Sequence, residues 1–306
     1  MPTWGKIIEE IQEENESRPS AFDKVRRKYL QEISDVSGNE VILYSSGWTE
    51  IDADSPHFSI SENDVHGFMQ TINGIKSDQI DLLLHSPGGS AEVAEQIVRY
   101  LREKFDYIRI IIPQAAMSAA TLMCCAADEV LLGHHSSLGP TDPQMLIPTE
   151  TGRRWVAAQS IVNQFEEVDK KVQQGEDIVH YTPILSQYDP ALKEEAENQI
   201  KLSEELAEEW TSDFMFSNDP KSSKKGSEVA DYLSNHDNFL SHNRRISRGM
   251  IESETPMSVS ELEENQDLQD AVLSAFHAAI ATHSHQRYAK IIENQHGDVY
   301  ARNIEG

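Results

Sequence analysis

Two short loops contain the residues whose types and spacing could do chemistry. The first, Ser-Pro-Gly-Gly-Ser at 86–90, follows an apolar run, and its paired glycines permit unusual backbone conformations that expose N–H groups. The second, residues 113–121, places Ser118 among small residues after another apolar run. A tight turn there would project the hydroxyl of a nucleophile at a helix N-terminus, and the exposed N–H groups could stabilise an oxyanion. Taken singly, an ordinary turn and an N-capping serine explain the two loops more simply.

The elements around these loops predict a parallel sheet covered by helices, an α/β fold. Continuous apolar runs predict strands at 40–45, 79–85, 107–113 and 129–132. Helical spacing of apolar residues predicts helices that include 61–72, 91–105 and 118–127. Reactive groups in such folds gather where loops leave the carboxyl ends of the strands, and both loops leave predicted strands there.

Helix-rich segments flank this core on both sides. Residues 4–34, 155–175 and 190–216 are predicted to be largely helical. Residues 267–294 are predicted to form one last long helix, because apolar residues recur there at helical spacing: Val272, Phe276, Ile280, Tyr288 and Ile291.

Composition excludes several classes of function. The 306 residues contain 52 acidic and 26 basic side chains, a formal net charge of -26, which disfavours nucleic acid and anionic membrane surfaces as partners. No secretory signal pattern and no apolar stretch of membrane-spanning length occurs, so we expect a cytoplasmic protein without a membrane span. Cys124 and Cys125 are neighbours in an apolar run and are expected to be buried small hydrophobes. Neither these cysteines nor the histidines after residue 276 form a convincing metal motif, and we expect no metal and no cofactor.

Four motifs occur in order at close spacing: Leu-Leu-His-Ser-Pro-Gly-Gly-Ser at 83–90, Ala-Ala-Met-Ser-Ala-Ala-Thr at 115–121, Ala-Ala-Asp-Glu-Val at 126–130 and Leu-Gly-Pro-Thr-Asp-Pro-Gln at 138–144. Together they resemble the serine dehydrogenase proteinases, a branch of the Clp-peptidase and crotonase superfamily related to signal peptide peptidase A. The resemblance spans roughly residues 36–252. It departs from the family at Ala120, where glycine is usual.

The resemblance implies a serine peptidase in which Ser118 attacks a peptide carbonyl and forms an acyl-enzyme. The backbone N–H groups of Gly89, Ser90 and Ala119 match positions that form the oxyanion hole in Clp-type peptidases. The implied partners are a peptide or protein substrate and other copies of the chain, since relatives in this superfamily form homo-oligomers. The implied organisation is an N-terminal helical arm (1–36), a Clp/crotonase-like peptidase domain (37–252) and a C-terminal helical extension (253–306).

The general base has several candidates. In Clp peptidases it is a histidine about two dozen residues after the serine, but residues 139–143 contain no histidine, and His134 and His135 are expected to face solvent. His236 matches a histidine of the serine dehydrogenase proteinases, and the adjacent Asp237 resembles the Clp triad aspartate. Signal peptide peptidase A instead uses a desolvated lysine, for which Lys201 is the main candidate, with Lys170 and Lys171 as others. We place His236, oriented by Asp237, slightly ahead of Lys201.

Two other functions compete with peptidase activity. The first is a non-catalytic oligomeric scaffold of Clp-like fold, in which Ser118 only caps its helix. The second is crotonase-like acyl-thioester chemistry, which would use the oxyanion hole without a nucleophile. The serine in the turn and the lack of a basic patch for coenzyme A phosphates argue against the second.

Overall fold

The computed structural model describes residues 3–14, 20–53, 55–149, 152–186 and 188–304. Parts of the predicted N-terminal arm, residues 1–2 and 15–19, therefore lie outside the described residues. The predicted α/β fold is confirmed. Its centre is a seven-stranded sheet in the order β10-β5-β3-β2-β1-β11-β12, and two smaller sheets accompany it, a three-stranded one (β4-β6-β9) and a two-stranded one (β7-β8).

The strands are β1 Glu40–Ser46, β2 Gln79–His85, β3 Tyr107–Ile112, β4 Ala115–Ala116, β5 Glu129–Leu132, β6 Ser137–Leu138, β7 Gln144–Thr149, β8 Gly152–Ala157, β9 Ile246–Ser247, β10 Val259–Glu261, β11 Tyr288–Asn294 and β12 Val299–Asn303. The helices are α1 Trp4–Glu13, α2 Ala21–Ser37, α3 Glu62–Ile72, α4 Ala91–Lys104, α5 Ala119–Cys125, α6 Ala158–Gln173, α7 Thr182–Leu185, α8 Leu192–Trp210, α9 Ser222–Ser234, α10 His236–Phe239, α11 Arg248–Glu254 and α12 Gln266–Gln286.

Strands β1, β2, β3, β5 and β10 run parallel, so their carboxyl ends share one edge of the sheet. Alternation along each strand sends successive side chains to opposite faces. On one face, residues such as Leu82 and Ile110 pack in the core beneath α3, α4 and α5. On the other, Leu83 and Ile111 pack against α2 and α12. Both faces are therefore covered, which explains why these strands read as continuous apolar runs.

The structure corrects the prediction of one helix over 267–294. Helix α12 ends at Gln286, and residues 288–294 form β11, which pairs antiparallel with β1 inside the main sheet. The chain turns at Arg287, which adopts a left-handed conformation with φ 55°. The segment 253–306 therefore contributes three strands as well as α12, and the predicted boundary at 252 divides elements that share one sheet.

The N-terminal helices are part of the same packing. Leu30 and Ile33 of α2 lie in the core beside α12, and Ile7 and Ile11 of α1 pack onto both helices. None of the helices in the described ranges is both long enough and apolar enough to cross a membrane.

Candidate functional site

The two loops singled out in the sequence are joined by backbone hydrogen bonds. Ser86 N–H donates to the Ala115 carbonyl at 3.1 Å, and Met117 N–H donates to the Ser86 carbonyl at 3.0 Å. Gly88 has φ +91°, and a Cβ there would lie 2.4 Å from the Met117 oxygen and 2.8 Å from Ser118 Cβ. Glycine is required at 88 because the Ser-Pro-Gly-Gly-Ser loop packs directly against the turn that holds Ser118.

Ser118 stands immediately before α5 in a strained backbone conformation, φ 51° and ψ -121°. Few non-glycine residues adopt positive φ, and those that do often lie at functional sites. An N-capping serine has an extended backbone and a side chain that accepts a helix N–H, but the Ser118 side chain makes no capping hydrogen bond. The half-buried hydroxyl bonds to none of the described residues. The capping explanation of Ser118 therefore fails on geometry.

Two N–H groups beside Ser118 are free to bind an oxyanion. Neither Gly89 N–H nor Ala119 N–H donates to any group in the described part of the chain. Ile60 donates to the Gly88 carbonyl at 2.7 Å and accepts from Ser90 N–H at 3.1 Å, so this parallel bridge leaves Gly89 N–H pointing away from Ile60. The preceding residue, Gly88, packs against Met117 and Ser118.

Ser90 does not fit the predicted oxyanion hole, because its N–H is already bonded to Ile60. Its hydroxyl instead accepts the Val93 N–H at 3.1 Å and donates to Glu92 at 2.8 Å. Ser90 is thus the N-cap of α4, which fixes the far end of the loop. This correction reduces the predicted set of three donors to Gly89 and Ala119.

A buried carboxylate that the sequence analysis missed holds two imidazoles. Asp142 Oδ2 contacts His236 Nδ1 at 2.8 Å, and Asp142 Oδ1 contacts His242 Nδ1 at 2.8 Å. The Asp142 side chain is 3% exposed and also accepts from the Gln144 amide at 3.0 Å. An imidazole that donates to a carboxylate from Nδ1 leaves the Nε2 atom of its neutral form as an acceptor.

The segment that carries Asp142 runs past the turn that holds Ser118. Gly139 lies against Met117, where a Cβ would come within 2.6 Å of the Met117 Cε atom. Gly139 N–H also donates to the Thr121 hydroxyl of α5 at 3.0 Å. Asp142, with its two imidazoles, follows three residues further on. Neither imidazole reaches the Ser118 hydroxyl within hydrogen-bond distance here, and catalytic hydrogen bonds are often long until substrate binds.

The predicted orienting carboxylate and the predicted lysine base are placed where they cannot act as predicted. Asp237 is exposed and does not contact the adjacent His236, which bonds to Asp142 instead. The Lys201 side chain is 71% exposed and lies 3.4 Å from Glu205 on the same helix face. Lys201 therefore lacks the desolvation that a lysine base requires. Lys170 is exposed, and Lys171 pairs with Glu167 at 2.7 Å on the surface of α6.

The remaining polar groups near the strand ends have other roles. His134 and His135 are exposed, as expected. Among the described residues, His134, Glu261 and Glu263 form a group whose ligand atoms could hold a metal ion, but Arg248 already contacts Glu261 at 3.0 Å. Cys124 and Cys125, as expected, are fully buried. Burial raises the pKa of both thiols, that of Cys125 to about 12.

Two buried histidines lie on the α12 side of the same sheet edge. His85, the last residue of β2, contacts the Phe276 ring and stacks beside Trp48. Burial lowers the pKa of His85 from 6.5 to about 3. His283 bonds to the Ser45 hydroxyl at 2.9 Å, and burial lowers its pKa from 6.5 to about 4. Both imidazoles are therefore neutral in the folded protein near pH 7.

Two known proteins match part of the chain. Over 87 residues (28% of this chain, 30% of the relative) the chain is 37% identical to an uncharacterised protein of Methanocaldococcus jannaschii. A second uncharacterised protein of that organism is 44% identical over 66 residues, 22% of this chain and 23% of the relative. The matched stretches thus span less than a third of either relative.

Two solved structures are similar at low identity. One is a serine-to-alanine mutant of the 1510-N membrane-bound stomatin-specific protease (TM-score 0.42, 14% identity, 70% of this chain and 79% of that one). The other is a lysine-to-alanine mutant of the same protease in complex with a substrate peptide (TM-score 0.37, 15% identity, 62% and 64%). The decisive match is to a family model, that of the ClpP-like SDH-type serine proteinases, over residues 23–233. The chain belongs to this family.

Proposed function

We propose that this protein is a serine peptidase that hydrolyses peptide bonds through an acyl-enzyme at Ser118. The observation that carries the proposal is the strained backbone of Ser118 combined with a hydroxyl that caps nothing. A scaffold that used Ser118 only as a helix cap would have no reason to keep the strained conformation. Crotonase-like chemistry would need no nucleophile in this turn. Membership of a serine proteinase family supports the same choice.

On this proposal, Ser118 Oγ attacks the scissile carbonyl while an imidazole accepts its proton. The developing oxyanion is bound by the N–H groups of Gly89 and Ala119, each worth about 2.7–4 kcal/mol in comparable enzymes. The imidazole then protonates the leaving amine, and water hydrolyses the acyl-enzyme with the same base. Asp142 fixes the tautomer and stabilises the imidazolium that forms.

The base is an imidazole held by Asp142. His236 and His242 both meet this requirement, because the Nδ1 atom of each lies 2.8 Å from an Asp142 carboxylate oxygen. Kinetics of variants can separate them. If His236 is the base, His236→Ala should slow labelling of Ser118 by a fluorophosphonate at least about a hundredfold, and His242→Ala should slow it much less. The reverse ranking would show that His242 is the base. Asp142→Asn should slow labelling in either case, because it removes the charge that stabilises the imidazolium.

The first test of the function is the site of labelling. A fluorophosphonate should modify Ser118, mapped by mass spectrometry, and Ser118→Ala should lose both labelling and peptide cleavage while remaining folded. Lys201→Ala is the matched surface control and should label at the wild-type rate. Equal labelling of wild type and Ser118→Ala would reject the nucleophile. Loss of labelling in Lys201→Ala, with both histidine variants active, would reject the imidazole base.

The finer features of the proposal concern partners and location. We propose a peptide or protein substrate, a homo-oligomeric assembly and a cytoplasmic location. The net charge of -26 supports a partner other than nucleic acid or an anionic membrane. Sedimentation of the purified protein would test the assembly, because a monomer at micromolar concentration contradicts it.

A further inference from the structure

A buried ion pair contacts the segment 59–61, which pairs with the Ser-Pro-Gly-Gly-Ser loop through Ile60. Lys290 of β11 and Asp64 of α3 are each about 1% exposed, and Lys290 Nζ lies 2.7 Å from both carboxylate oxygens. The Tyr44 hydroxyl donates to the same carboxylate at 2.9 Å. Burying two charges is costly, so such a pair is weak evidence for stability and invites another explanation.

The ion pair holds both neighbours of Ile60. Lys290 Nζ donates to the Ser59 carbonyl at 2.7 Å, and the Ser61 N–H donates to Asp64 Oδ2 at 2.9 Å. These bonds fix the backbone on each side of Ile60, so Ile60 has little freedom to move.

Ile60 in turn determines the position of Gly89. It bonds to the residues on either side of Gly89, and a Cβ on Gly89 would lie 2.4 Å from the Ile60 nitrogen. Gly89 has φ +153°, a conformation that L side chains rarely adopt. A shift of Ile60 must therefore move Gly89 N–H, the proposed oxyanion donor.

We infer that Lys290 and Asp64 are positioning residues for the oxyanion hole: through Ser59, Ile60 and Ser61 they fix the direction of Gly89 N–H. This inference rests on the proposed function, and it extends the functional unit beyond the family match at 23–233, because Lys290 lies on β11. Neither residue touches the substrate. A misplacement of about 1 Å in a catalytic group can cost about a hundredfold in rate.

The test compares two buried ion pairs that share β11. Arg26 of α2 pairs with Glu293 on the opposite face of the strand from Lys290. Lys290→Met and Arg26→Met each remove the cation of a fully buried pair, so both should lower stability. Only Lys290→Met should slow the limiting rate of Ser118 fluorophosphonate labelling, by about 10- to 100-fold, with little change in the probe concentration at half-maximal rate.

A triple variant distinguishes a loss of positioning from a loss of stability as the cause of slow labelling. Replacing the whole polar group by Lys290→Met, Asp64→Leu and Tyr44→Phe should restore much of the stability, because removing a buried pair completely is often neutral. It should not restore the labelling rate, because Ser59 and Ser61 lose their anchors. Recovery of rate together with stability would overturn the inference, as would equal slowing in Arg26→Met.

Hydrogen exchange supplies a readout that does not depend on activity. Peptides covering residues 86–90 should exchange faster in Lys290→Met than in Arg26→Met, since the Ser90 N–H bond to Ile60 is weakened. Unchanged exchange at 86–90 overturns the positioning role even if the protein has no peptidase activity. Absence of Ser118 labelling in the wild type, with faster exchange in Lys290→Met, rejects the proposed function alone.

Discussion

Acidification should destabilise this fold through two buried histidines. The folded-state pKa is about 3 for His85 and about 4 for His283, against 6.5 in the absence of burial. At a pH between each folded-state pKa and 6.5, the unfolded chain binds more protons than the folded one. The free energy of unfolding therefore falls as the pH falls below about 6.5. From pH 7.5 to pH 5, each histidine accounts for a loss of about 2 kcal/mol, or about 4 kcal/mol for the pair.

The assay is urea unfolding followed by circular dichroism at pH 7.5 and pH 5. His85→Gln with His283→Gln removes both titrating groups, so the double variant should lose about 4 kcal/mol less than the wild type over this interval. Carboxylates titrate in both proteins and cancel in the comparison. His180→Gln, at an exposed position, is the control and should keep the wild-type loss. Equal losses in the wild type and the double variant would refute the argument.

Three further outcomes are expected. Ser118→Gly should be about 1 kcal/mol more stable to urea than Ser118→Ala, because glycine adopts φ 51° without strain; equal stability would contradict the strain. Gly88→Ala should abolish fluorophosphonate labelling and lower the free energy of unfolding in urea by about 2 kcal/mol or more, since its Cβ would overlap a backbone oxygen. The control Gly74→Ala, at φ +88° with open space around it, should lower that free energy by only about 1 kcal/mol and label normally. Cys124 and Cys125 should resist Ellman's reagent in the native protein and react once it is unfolded; fast native reaction would contradict their burial.

The sequence predicted the parallel core well because each strand there is buried on both faces. The runs at 79–85 and 107–113 coincide with β2 and β3 to within one residue. The prediction of the last helix was wrong for a local reason. Tyr288 and Ile291 continue the helical spacing of α12 by coincidence, and the chain turns at Arg287, a residue type that gives no turn signal. Pairing with β1, more than 240 residues earlier, and with β12 makes 288–294 a strand.

The loops of the site were predictable and their partners were not. Adjacent glycines and a serine among small residues mark both loops in the sequence. The availability of an N–H depends on contacts with distant residues, so Ile60 removes Ser90 from the oxyanion hole without any local signal. The sequence did not predict the role of Asp142, because the resemblance to Clp peptidases implies a histidine in that region. An aspartate flanked by Thr141 and Pro143, in the place of the expected base, was the signal that could have found it.

The proposed triad also explains how the histidine and the aspartate can exchange their positions along the chain. In Clp peptidases the histidine follows the serine by about two dozen residues, and the aspartate comes later. Here Asp142 stands 24 residues after Ser118, and the imidazoles of His236 and His242 come from the later segment. Catalysis requires a carboxylate on Nδ1 and a free Nε2 near the hydroxyl, whichever segment supplies each. The exchange needs a carboxylate that is held in place, and contacts with both imidazoles and the Gln144 amide hold Asp142. Because two imidazoles share this carboxylate, the one that is not the base still helps to hold the carboxylate on which the base depends.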